Sequence, residues 1–227
     1  KRVAINGFGR IGRHVMRQLI VDENVEVVAI NDLVDAEMLA HLFEFDTVYG
    51  RVPNAEISLD SDGILINGNV VKVFAEKDPR NLPWKELNVD LVLECTGIFK
   101  DEEKAGYHIQ AGAKKVLISA PASGDIKNIV VGVNDNVIQD SDVILSGASC
   151  TTNCLAPMMH VLSEHFTINS GFIATTHAYT GDQRLMDSPH KDFRRSRAAA
   201  LNVIPTSTGA AKAIGKVIPS LKGKLDG

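Results

Sequence analysis

The sequence has 227 residues, of which 44% are hydrophobic and 23% are charged, and its formal net charge is −4. This is the composition of an ordinary globular protein, long enough for one large or two small domains. The charge gives no reason to expect nucleic acid or membrane as a partner, no apolar run is long enough to span a bilayer, and three cysteines without a framework spacing favour a reducing, cytoplasmic compartment.

The first predicted elements are a strand, a glycine-rich turn and a helix. The strand covers residues 3–5 and starts so near residue 1 that we expect no signal peptide. It precedes the motif G-x-G-x-x-G, in which Gly7 permits a tight turn, Gly9 lets the backbone approach a pyrophosphate, and Gly12 lets the helix pack closely on the strand. The helix is predicted to be amphipathic, with Ile11, Val15 and Leu19 sharing one face.

An acidic residue completes this motif. A second predicted strand, residues 25–30, ends in Asn31-Asp32, and Asp32 lies about 20 residues after Gly12. A strand, a glycine motif that opens a helix, and an acid at this distance are the full context of a dinucleotide-binding fingerprint. The Asp32 carboxylate would accept hydrogen bonds from the adenosine ribose and repel a 2′-phosphate, so the pattern favours NAD over NADP.

Strands and helices continue to alternate up to residue 149. Helices are predicted over residues 36–45 and 101–110, and strands over residues 57–59, 64–66, 70–74, 89–93, 116–118, 129–131 and 143–145. Thr96-Gly97 and Ser119 follow two of these strands, at the carboxyl ends where open α/β sheets bind ligands. The alternation predicts an α/β fold, a doubly wound parallel sheet of Rossmann type over residues 1–149.

A cysteine motif, ASCTTNC at residues 148–154, follows the last of these strands. Cys150 lies where the strand leads into a predicted helix, and a helix N-terminus favours a thiolate. The residues alone leave two alternatives open: a reactive cysteine beside hydroxyls suited to an anion, or a buried structural cysteine beside hydroxyls that cap the helix. The spacing to Cys154 is not a usual zinc or redox spacing, so Cys154 is predicted to pack and no metal site is expected.

Residues 150–227 predict a second, α+β domain. A helix after Cys150, a long strand over residues 170–178, a basic loop over 179–200 and a helix over 210–218 follow one another. One strand cannot form a sheet, so we expect this domain to be incomplete.

Four segments carry a resemblance to a known family. They are NGFGRIG at residues 6–12, ASCTTNC at 148–154, HAYTGDQ at 177–183 and TSTGAAK at 206–212. In this order they resemble the phosphorylating glyceraldehyde-3-phosphate dehydrogenases, and the resemblance covers residues 1–227. It implies that the catalytic domain continues beyond Gly227, so that the chain is C-terminally truncated and residues 1–227 alone are expected to lack full activity.

The resemblance also implies a mechanism. Cys150 would attack the aldehyde of glyceraldehyde 3-phosphate to form a thiohemiacetal, and His177 would hold the thiolate and accept the hemiacetal proton. Hydride would pass to NAD, and inorganic phosphate would cleave the resulting thioester to give 1,3-bisphosphoglycerate. The family implies a homotetramer for the complete protein.

The remaining site residues come from the same resemblance. NAD contacts are implied for Gly7, Gly9, Arg10, Ile11, Gly12, Asn31, Asp32, Lys77, Thr96, Gly97 and Ser119. Contacts with inorganic phosphate or with the substrate phosphate are implied for Ser149, Thr151, Thr180, Arg195, Thr208 and Gly209. At Lys77 the sequence departs from the family, whose members often carry arginine there.

Two alternatives to this function stay open. One is a non-catalytic fragment that retains binding of NAD or of a partner. The other is an erythrose-4-phosphate dehydrogenase, which is disfavoured because members of that group depart from the segment HAYTGDQ at residues 177–183.

Overall fold

A computed structural model describes all 227 residues, and they divide into two compact units, Lys1–Ser149 and Cys150–Gly227. The division lies at the domain boundary expected from the sequence, while the cofactor and catalytic roles of the two units remain predictions. None of the helices combines the length and the apolar character needed to cross a membrane.

The first unit contains ten strands and three α-helices. The strands are β1 (Arg2–Asn6), β2 (Glu26–Asn31), β3 (Phe45–Asp46), β4 (Gly50–Arg51), β5 (Ile57–Asp60), β6 (Gly63–Ile66), β7 (Asn69–Phe74), β8 (Leu91–Glu94), β9 (Lys115–Ile118) and β10 (Ile144–Ser146). The helices are α1 (Arg10–Leu19), α2 (Ala36–Glu44) and α3 (Glu102–Gln110).

Eight of these strands form one sheet in the order β10-β9-β8-β1-β2-β7-β6-β5. Every pair from β10 to β7 is parallel, whereas β7 with β6 and β6 with β5 are antiparallel. The sheet is therefore mixed, with a parallel part from β10 to β7 and an antiparallel edge from β7 to β5, because the turns that connect β5, β6 and β7 are too short for the crossover that parallel strands need. The chain runs from β1 to β2 on one side and later enters β8 on the other side, so the topological switch point lies between β1 and β8.

Helices cover both faces of this sheet. Ile5 of β1 belongs to one buried core together with Met16 of α1 and Phe43 of α2. The neighbouring Ala4 points to the other face and belongs to a second core with Ala105 of α3. Since successive residues of a strand point to opposite faces, two cores on either side of β1 define a doubly wound sheet, and the predicted fold class is confirmed.

The buried face of α1 is centred on Gly12 and Met16. Val15 and Leu19 are partly buried against the same core, whereas Ile11, which was predicted to share their face, is 49% exposed. The reason is the close approach of the helix to the turn before it: a Cβ atom on Gly12 would lie 2.2 Å from the carbonyl oxygen of Gly7. Helix and turn meet at this glycine, and Ile11 is left on the outside.

The predicted strand over residues 129–131 is also wrong. Only Asn128 forms a bridge, to Ser146 of β10. The backbone then turns away, because the Val130 N–H donates to the side-chain oxygen of Asn134 at 2.8 Å and the Asn134 N–H donates back to the Val130 carbonyl. A side chain thus takes the place of a neighbouring strand.

The second unit has two α-helices and two short strands: α4 (Cys150–His165), β11 (Gly171–Phe172), α5 (Ala210–Val217) and β12 (Leu225–Asp226). Helix α4 packs against α5, and β11 pairs in parallel with β12. The predicted long strand over residues 170–178 is wrong beyond Phe172. The Ile173 N–H still donates to the Asp226 carbonyl, but residues 174–178 have no ladder partner and are not a strand.

The contact at Gly12 generates a stability prediction. The substitution Gly12→Ala should lower the free energy of unfolding by about 1–3 kcal/mol, the usual cost of overpacking, because the obstructing atom is a backbone oxygen. In thermal unfolding the matched control is Gly106→Ala, inside α3, where an added Cβ meets nothing within 4 Å. The control should instead gain about 0.5–1 kcal/mol from higher helix propensity. Equal effects of the two substitutions would contradict the role assigned to the Gly12 contact.

Candidate active site

The turn between β1 and α1 is built on glycine. Gly7 has φ +90°, and a Cβ atom there would lie 2.7 Å from the backbone nitrogen of Thr96. At Gly9, by contrast, an added Cβ would meet nothing within 4 Å. The turn is thus closely packed beneath Gly7 and open at Gly9, next to the first turn of α1. Open space beside a helix N-terminus is what a pyrophosphate group requires, so these residues fit the predicted dinucleotide.

Asp32 lies directly beside this turn. One carboxylate oxygen accepts the Phe8 N–H at 2.7 Å, and the other accepts the Val34 N–H at 3.1 Å. A carboxylate can accept about four hydrogen bonds, so it retains capacity for ribose hydroxyls. The structure therefore assigns Asp32 a second task that the sequence did not indicate, which is to hold the glycine turn at Phe8.

Thr96, Gly97 and Ser119 lie after the neighbouring strands β8 and β9. The Thr96 N–H and hydroxyl both donate to the Glu94 carboxylate. Gly97 is exposed with φ +72°, and the Ser119 N–H donates to the Glu94 carbonyl at 2.9 Å. These predicted cofactor residues are thus brought to the carboxyl edge of the sheet, next to the switch point.

Three further predicted cofactor residues have surroundings that sequence alone did not indicate. Arg10 forms an ion pair with Asp46. The Asn31 side chain donates to Asn6 at 2.7 Å and to the Glu76 carbonyl at 2.9 Å, so it joins strand ends within the protein. Lys77 is exposed.

Backbone hydrogen bonds and Arg10 also fix the charge of Asp46. The Tyr49 N–H, the Val48 N–H and the Arg10 guanidinium together lower the pKa of Asp46 to about 2, against an opposing effect of burial. Arg10 therefore lies beside a permanent negative charge at neutral pH.

Cys150 and His177 form the contact of greatest chemical interest. Cys150 is the first residue of α4, and its sulfur lies 3.5 Å from Nε2 of His177 and 3.8 Å from the hydroxyl of Thr151. The other ring nitrogen, Nδ1, lies 2.6 Å from the Ala178 carbonyl oxygen, which can only accept, so Nδ1 carries a proton. Because Nδ1 is committed to the Ala178 carbonyl, Nε2 is the nitrogen that can exchange a proton with the Cys150 sulfur. Both side chains are exposed and can be reached by a substrate.

The same contacts shift the pKa values of both Cys150 and His177. The His177 imidazole lowers the pKa of the Cys150 thiol, partial burial opposes this, and the Thr151 hydroxyl adds to the lowering. The Ala178 carbonyl and the Cys150 sulfur raise the pKa of His177. The two directions favour a thiolate–imidazolium pair, and the N-terminus of α4 stabilises the thiolate further.

A strained backbone precedes the cysteine. Ala148 is buried and has φ +58°, a region that residues other than glycine rarely adopt. The Ser146 hydroxyl holds this turn by accepting the Ala148 N–H at 3.0 Å and donating to the Ala120 carbonyl at 2.7 Å. A sharp turn between β10 and α4 thereby sets the start of the helix at Cys150.

Thr180 and Arg195 come together on the loop that follows His177. The Thr180 hydroxyl accepts the Asp182 N–H, and the Asp182 carboxylate pairs with Arg195. Arg195 also donates from Nε to the Thr206 hydroxyl at 2.9 Å, and its guanidinium lowers the pKa of Asp182. The structure thus places both predicted substrate-phosphate residues in one hydrogen-bonded cluster.

The predicted inorganic-phosphate residues lie at the starts of the two helices. Ser149 and Thr151 flank Cys150 at the start of α4. Gly209 is the residue before α5, and the Thr208 hydroxyl accepts the Ala210 N–H at 3.2 Å. Anions are stabilised at helix N-termini, so both positions suit a phosphate.

Sequence reasoning missed one group at this edge of the sheet. Glu94 and His108 are fully buried, 3.1 Å apart, and their neighbours Asn6 and Trp84 are buried as well. The one available signal was an acidic residue, Glu94, at the end of an apolar strand immediately before Thr96-Gly97. No group of three or more metal-ligating side chains is arranged to hold a metal ion.

The doubly wound sheet with its glycine turn and Asp32 defines a dinucleotide-binding domain, which here precedes a thiol–imidazole pair. Residues 1–102 match the family model "Glyceraldehyde 3-phosphate dehydrogenase, NAD binding domain", and residues 149–227 match "Glyceraldehyde 3-phosphate dehydrogenase, C-terminal domain". The glyceraldehyde-3-phosphate dehydrogenases of Clostridium pasteurianum and Clostridium acetobutylicum are 59% and 57% identical to this chain. Both alignments cover all of this chain and 68% of the relative.

The chain therefore belongs to the glyceraldehyde-3-phosphate dehydrogenase family. The resemblance stated from the four segments is confirmed, and so is NAD as the cofactor. The protein is an NAD-dependent oxidoreductase of the glycolytic type.

The Cys150–His177 contact generates a prediction about thiol reactivity. Iodoacetamide should modify Cys150 far ahead of Cys95, because burial raises the pKa of Cys95 to about 11 and keeps it protonated near neutral pH. Cys154 is exposed, so the prediction that it packs is wrong. Cys150 should still react ahead of Cys154, because Cys154 lacks the histidine partner. Because the thiolate is the reactive form and the pKa of Cys150 is lowered, its rate should reach half-maximum below the ordinary thiol pKa of about 8.5.

Peptide mapping of the labelled chain over a range of pH checks this prediction. The substitution His177→Asn should move the Cys150 midpoint upward, and His160→Asn, on the surface of α4, is the matched control that should not move it. Equal labelling rates for the three cysteines, or a midpoint unaffected by His177→Asn, would contradict the pairing.

Asp32 generates a prediction about cofactor choice. The substitution Asp32→Asn keeps an oxygen for the Phe8 N–H but removes the charge, so the preference for NAD over NADP should narrow by roughly tenfold, or about 1.4 kcal/mol. Calorimetric titration with both cofactors measures the ratio. The control Asp62→Asn, in the turn between β5 and β6, removes the same charge and should leave the ratio unchanged. A ratio that stays constant in Asp32→Asn would mean that another residue sets the choice.

Proposed function

We propose that this protein catalyses the NAD-dependent, phosphorylating oxidation of glyceraldehyde 3-phosphate to 1,3-bisphosphoglycerate. The observation that carries the proposal is the 3.5 Å contact between the Cys150 sulfur and Nε2 of His177 at the start of α4. The family matches and the names of both relatives support the choice of substrate.

Cys150 acts as the nucleophile. Its thiolate attacks the aldehyde carbon, a C–S bond forms, and the carbonyl electron pair moves to oxygen. The imidazolium of His177 protonates that oxygen from Nε2, which gives a thiohemiacetal on Cys150. The lowered pKa of Cys150 and the raised pKa of His177 favour the charged pair from which this step starts.

His177 then acts as a general base. It removes the proton from the hemiacetal oxygen as the C–H bond breaks, and a thioester remains on Cys150. NAD, when bound, supplies the acceptor for the hydride lost in this oxidation. The hydrogen bond from Nδ1 to the Ala178 carbonyl keeps Nε2 directed at the reacting sulfur throughout.

Inorganic phosphate completes the reaction. A phosphate oxygen attacks the thioester carbonyl, the C–S bond breaks, and Cys150 leaves as a thiolate, so its lowered pKa also makes it a good leaving group. We assign the attacking phosphate to Ser149, Thr151, Thr208 and Gly209. The phosphate of the substrate is assigned to Thr180 and Arg195, which lie in one cluster.

The cofactor is assigned to the carboxyl edge of the sheet in the first unit. The open space at Gly9 and the start of α1 would hold the pyrophosphate, and Asp32 would hold the adenosine ribose. The exposed Ile11 and Gly97 would contact the remainder of NAD.

We also propose that the complete enzyme is a cytoplasmic homotetramer. Apolar side chains of the loop after His177 are largely exposed and would be covered by another subunit: Tyr179, Leu185, Met186, Phe193 and Leu201. All three cysteines are free thiols, as a reducing compartment requires.

Turnover tests the proposal. In a protein that carries this sequence within the full length of the relatives, His177→Asn should lower kcat for phosphate-dependent NAD reduction by roughly 10²–10⁴, the usual loss of a general base. The matched control His160→Asn should retain kcat. Wild-type turnover that needs no phosphate, or that prefers erythrose 4-phosphate to glyceraldehyde 3-phosphate, would contradict the assigned reaction.

A further inference from the structure

A buried carboxylate lies beneath the two loops of the proposed NAD site. Glu94 and His108 are 0% exposed, and Asn6 is 1% exposed. One oxygen of Glu94 accepts from Nδ2 of Asn6 at 2.5 Å and lies 3.1 Å from Nε2 of His108. The other oxygen accepts the Thr96 N–H at 2.8 Å and also the Thr96 hydroxyl. The carboxylate therefore faces four hydrogen-bonding groups in a site without solvent.

Trp84 decides the protonation of His108. Its indole N–H can only donate, and it lies 3.0 Å from Nδ1 of His108, so Nδ1 carries no proton. The ring is therefore neutral with its proton on Nε2, and it donates this proton to Glu94. All four contacts of Glu94 are thus hydrogen bonds from neutral donors, which is the surrounding that an ionised carboxylate, an acceptor only, requires.

Three of the four donors lie where two loops meet at the switch point: the side chain of Asn6 at the end of β1, and the N–H and hydroxyl of Thr96 after β8. The fourth donor, His108, lies on α3. The Thr96 hydroxyl also accepts the Ile98 N–H at 3.0 Å, so Glu94 fixes the backbone on both sides of Gly97. Asn6 immediately precedes Gly7, and its side-chain oxygen accepts from Asn31 at the end of β2. One oxygen of Glu94 therefore holds the loop after β8, and the other holds the start of the glycine turn after β1.

We propose that Glu94 is the positioning residue of the NAD site, and that His108 and Trp84 act through it. Glu94 does not touch the cofactor; its two oxygens set the distance and orientation between the loops at Gly7 and Gly97. This inference rests on the proposed placement of NAD at that edge of the sheet. The site needs a carboxylate because two oxygens must accept hydrogen bonds in opposite directions.

An amide of the same shape cannot do this. The substitution Glu94→Gln supplies one oxygen and one NH2 group, so the NH2 group must face either Thr96 or the donors of Asn6 and His108. His108 cannot turn Nε2 into an acceptor, because the Trp84 N–H occupies its other nitrogen. One of the two loops thus loses its anchor, and buried donors are left facing each other.

The test is NAD affinity of the 227-residue chain, measured by calorimetry. Glu94→Gln should weaken NAD binding at least about tenfold, the effect of one unsatisfied buried group. The double variant Asn6→Asp, Glu94→Gln exchanges carboxylate and amide, so that the new NH2 group donates to the new carboxylate and His108 also finds an acceptor there. This double variant should recover most of the lost affinity.

Folding is controlled separately. Far-ultraviolet circular dichroism reports whether the fold is intact in the Glu94 variants, because Trp84 belongs to the altered network. In the wild-type chain and in Val92→Ala, the fluorescence of Trp84, the single tryptophan, reports the state of the first unit. Val92→Ala is the matched control, since Val92 is buried two residues earlier on β8 and its loss weakens the core without touching either loop. It should bind NAD with unchanged affinity at a temperature where its Trp84 fluorescence is native.

The outcomes are distinct. Unchanged affinity in Glu94→Gln, equal losses in Glu94→Gln and Val92→Ala, or a double variant no better than Glu94→Gln would each overturn this inference. A wild-type chain that shows native Trp84 fluorescence and binds no NAD would instead overturn the proposed cofactor site. Weakened binding in Glu94→Gln with recovery in the double variant supports the positioning role.

Discussion

The fold of the first unit depends on the close approach of two backbone loops to each other, the loop after β1 and the loop after β8. Gly7 leaves no room for a Cβ atom against Thr96, and Gly12 leaves none against Gly7. These two contacts bring the loop after β8, the glycine turn and α1 together at the switch point of the sheet. The same approach creates the open edge near Gly9, because a side chain at any of these positions would either push the elements apart or fill the space.

The two units hold negative charge in opposite ways. In the first unit the Glu94 carboxylate is fully buried among neutral donors, so its charge organises backbone and is not available for chemistry. In the second unit the Cys150 sulfur is exposed, and the helix start and His177 stabilise its charge from one side only. A fixed acceptor suits the positioning of a cofactor, whereas a partly solvated thiolate is free to attack and to leave.

The features that depend on neighbouring residues in the chain could be predicted from the sequence. The glycine turn and the helix start at Cys150 each follow from motifs within a few residues, and both are found in the structure. Asp32 was indicated by its distance from the glycine motif, and in the structure it accepts the Phe8 N–H of that turn. The length of β11 could not be predicted, because a strand continues only where another strand pairs with it. The contact of Cys150 with His177 spans 27 residues and was indicated by the family resemblance rather than by spacing.

The buried group around Glu94 escaped prediction for a related reason, since its members come from separate elements that only the folded sheet brings together.

The central claim is that NAD binds at the edge of the sheet between β1 and β8. Amide chemical shifts of the 227-residue chain during NAD titration test this claim most directly. The account predicts shifts at Gly7, Gly9, Asp32 and Gly97, with little change over residues 57–74. Shifts concentrated in residues 57–74, or absent at the glycine turn while other amides respond, would contradict it.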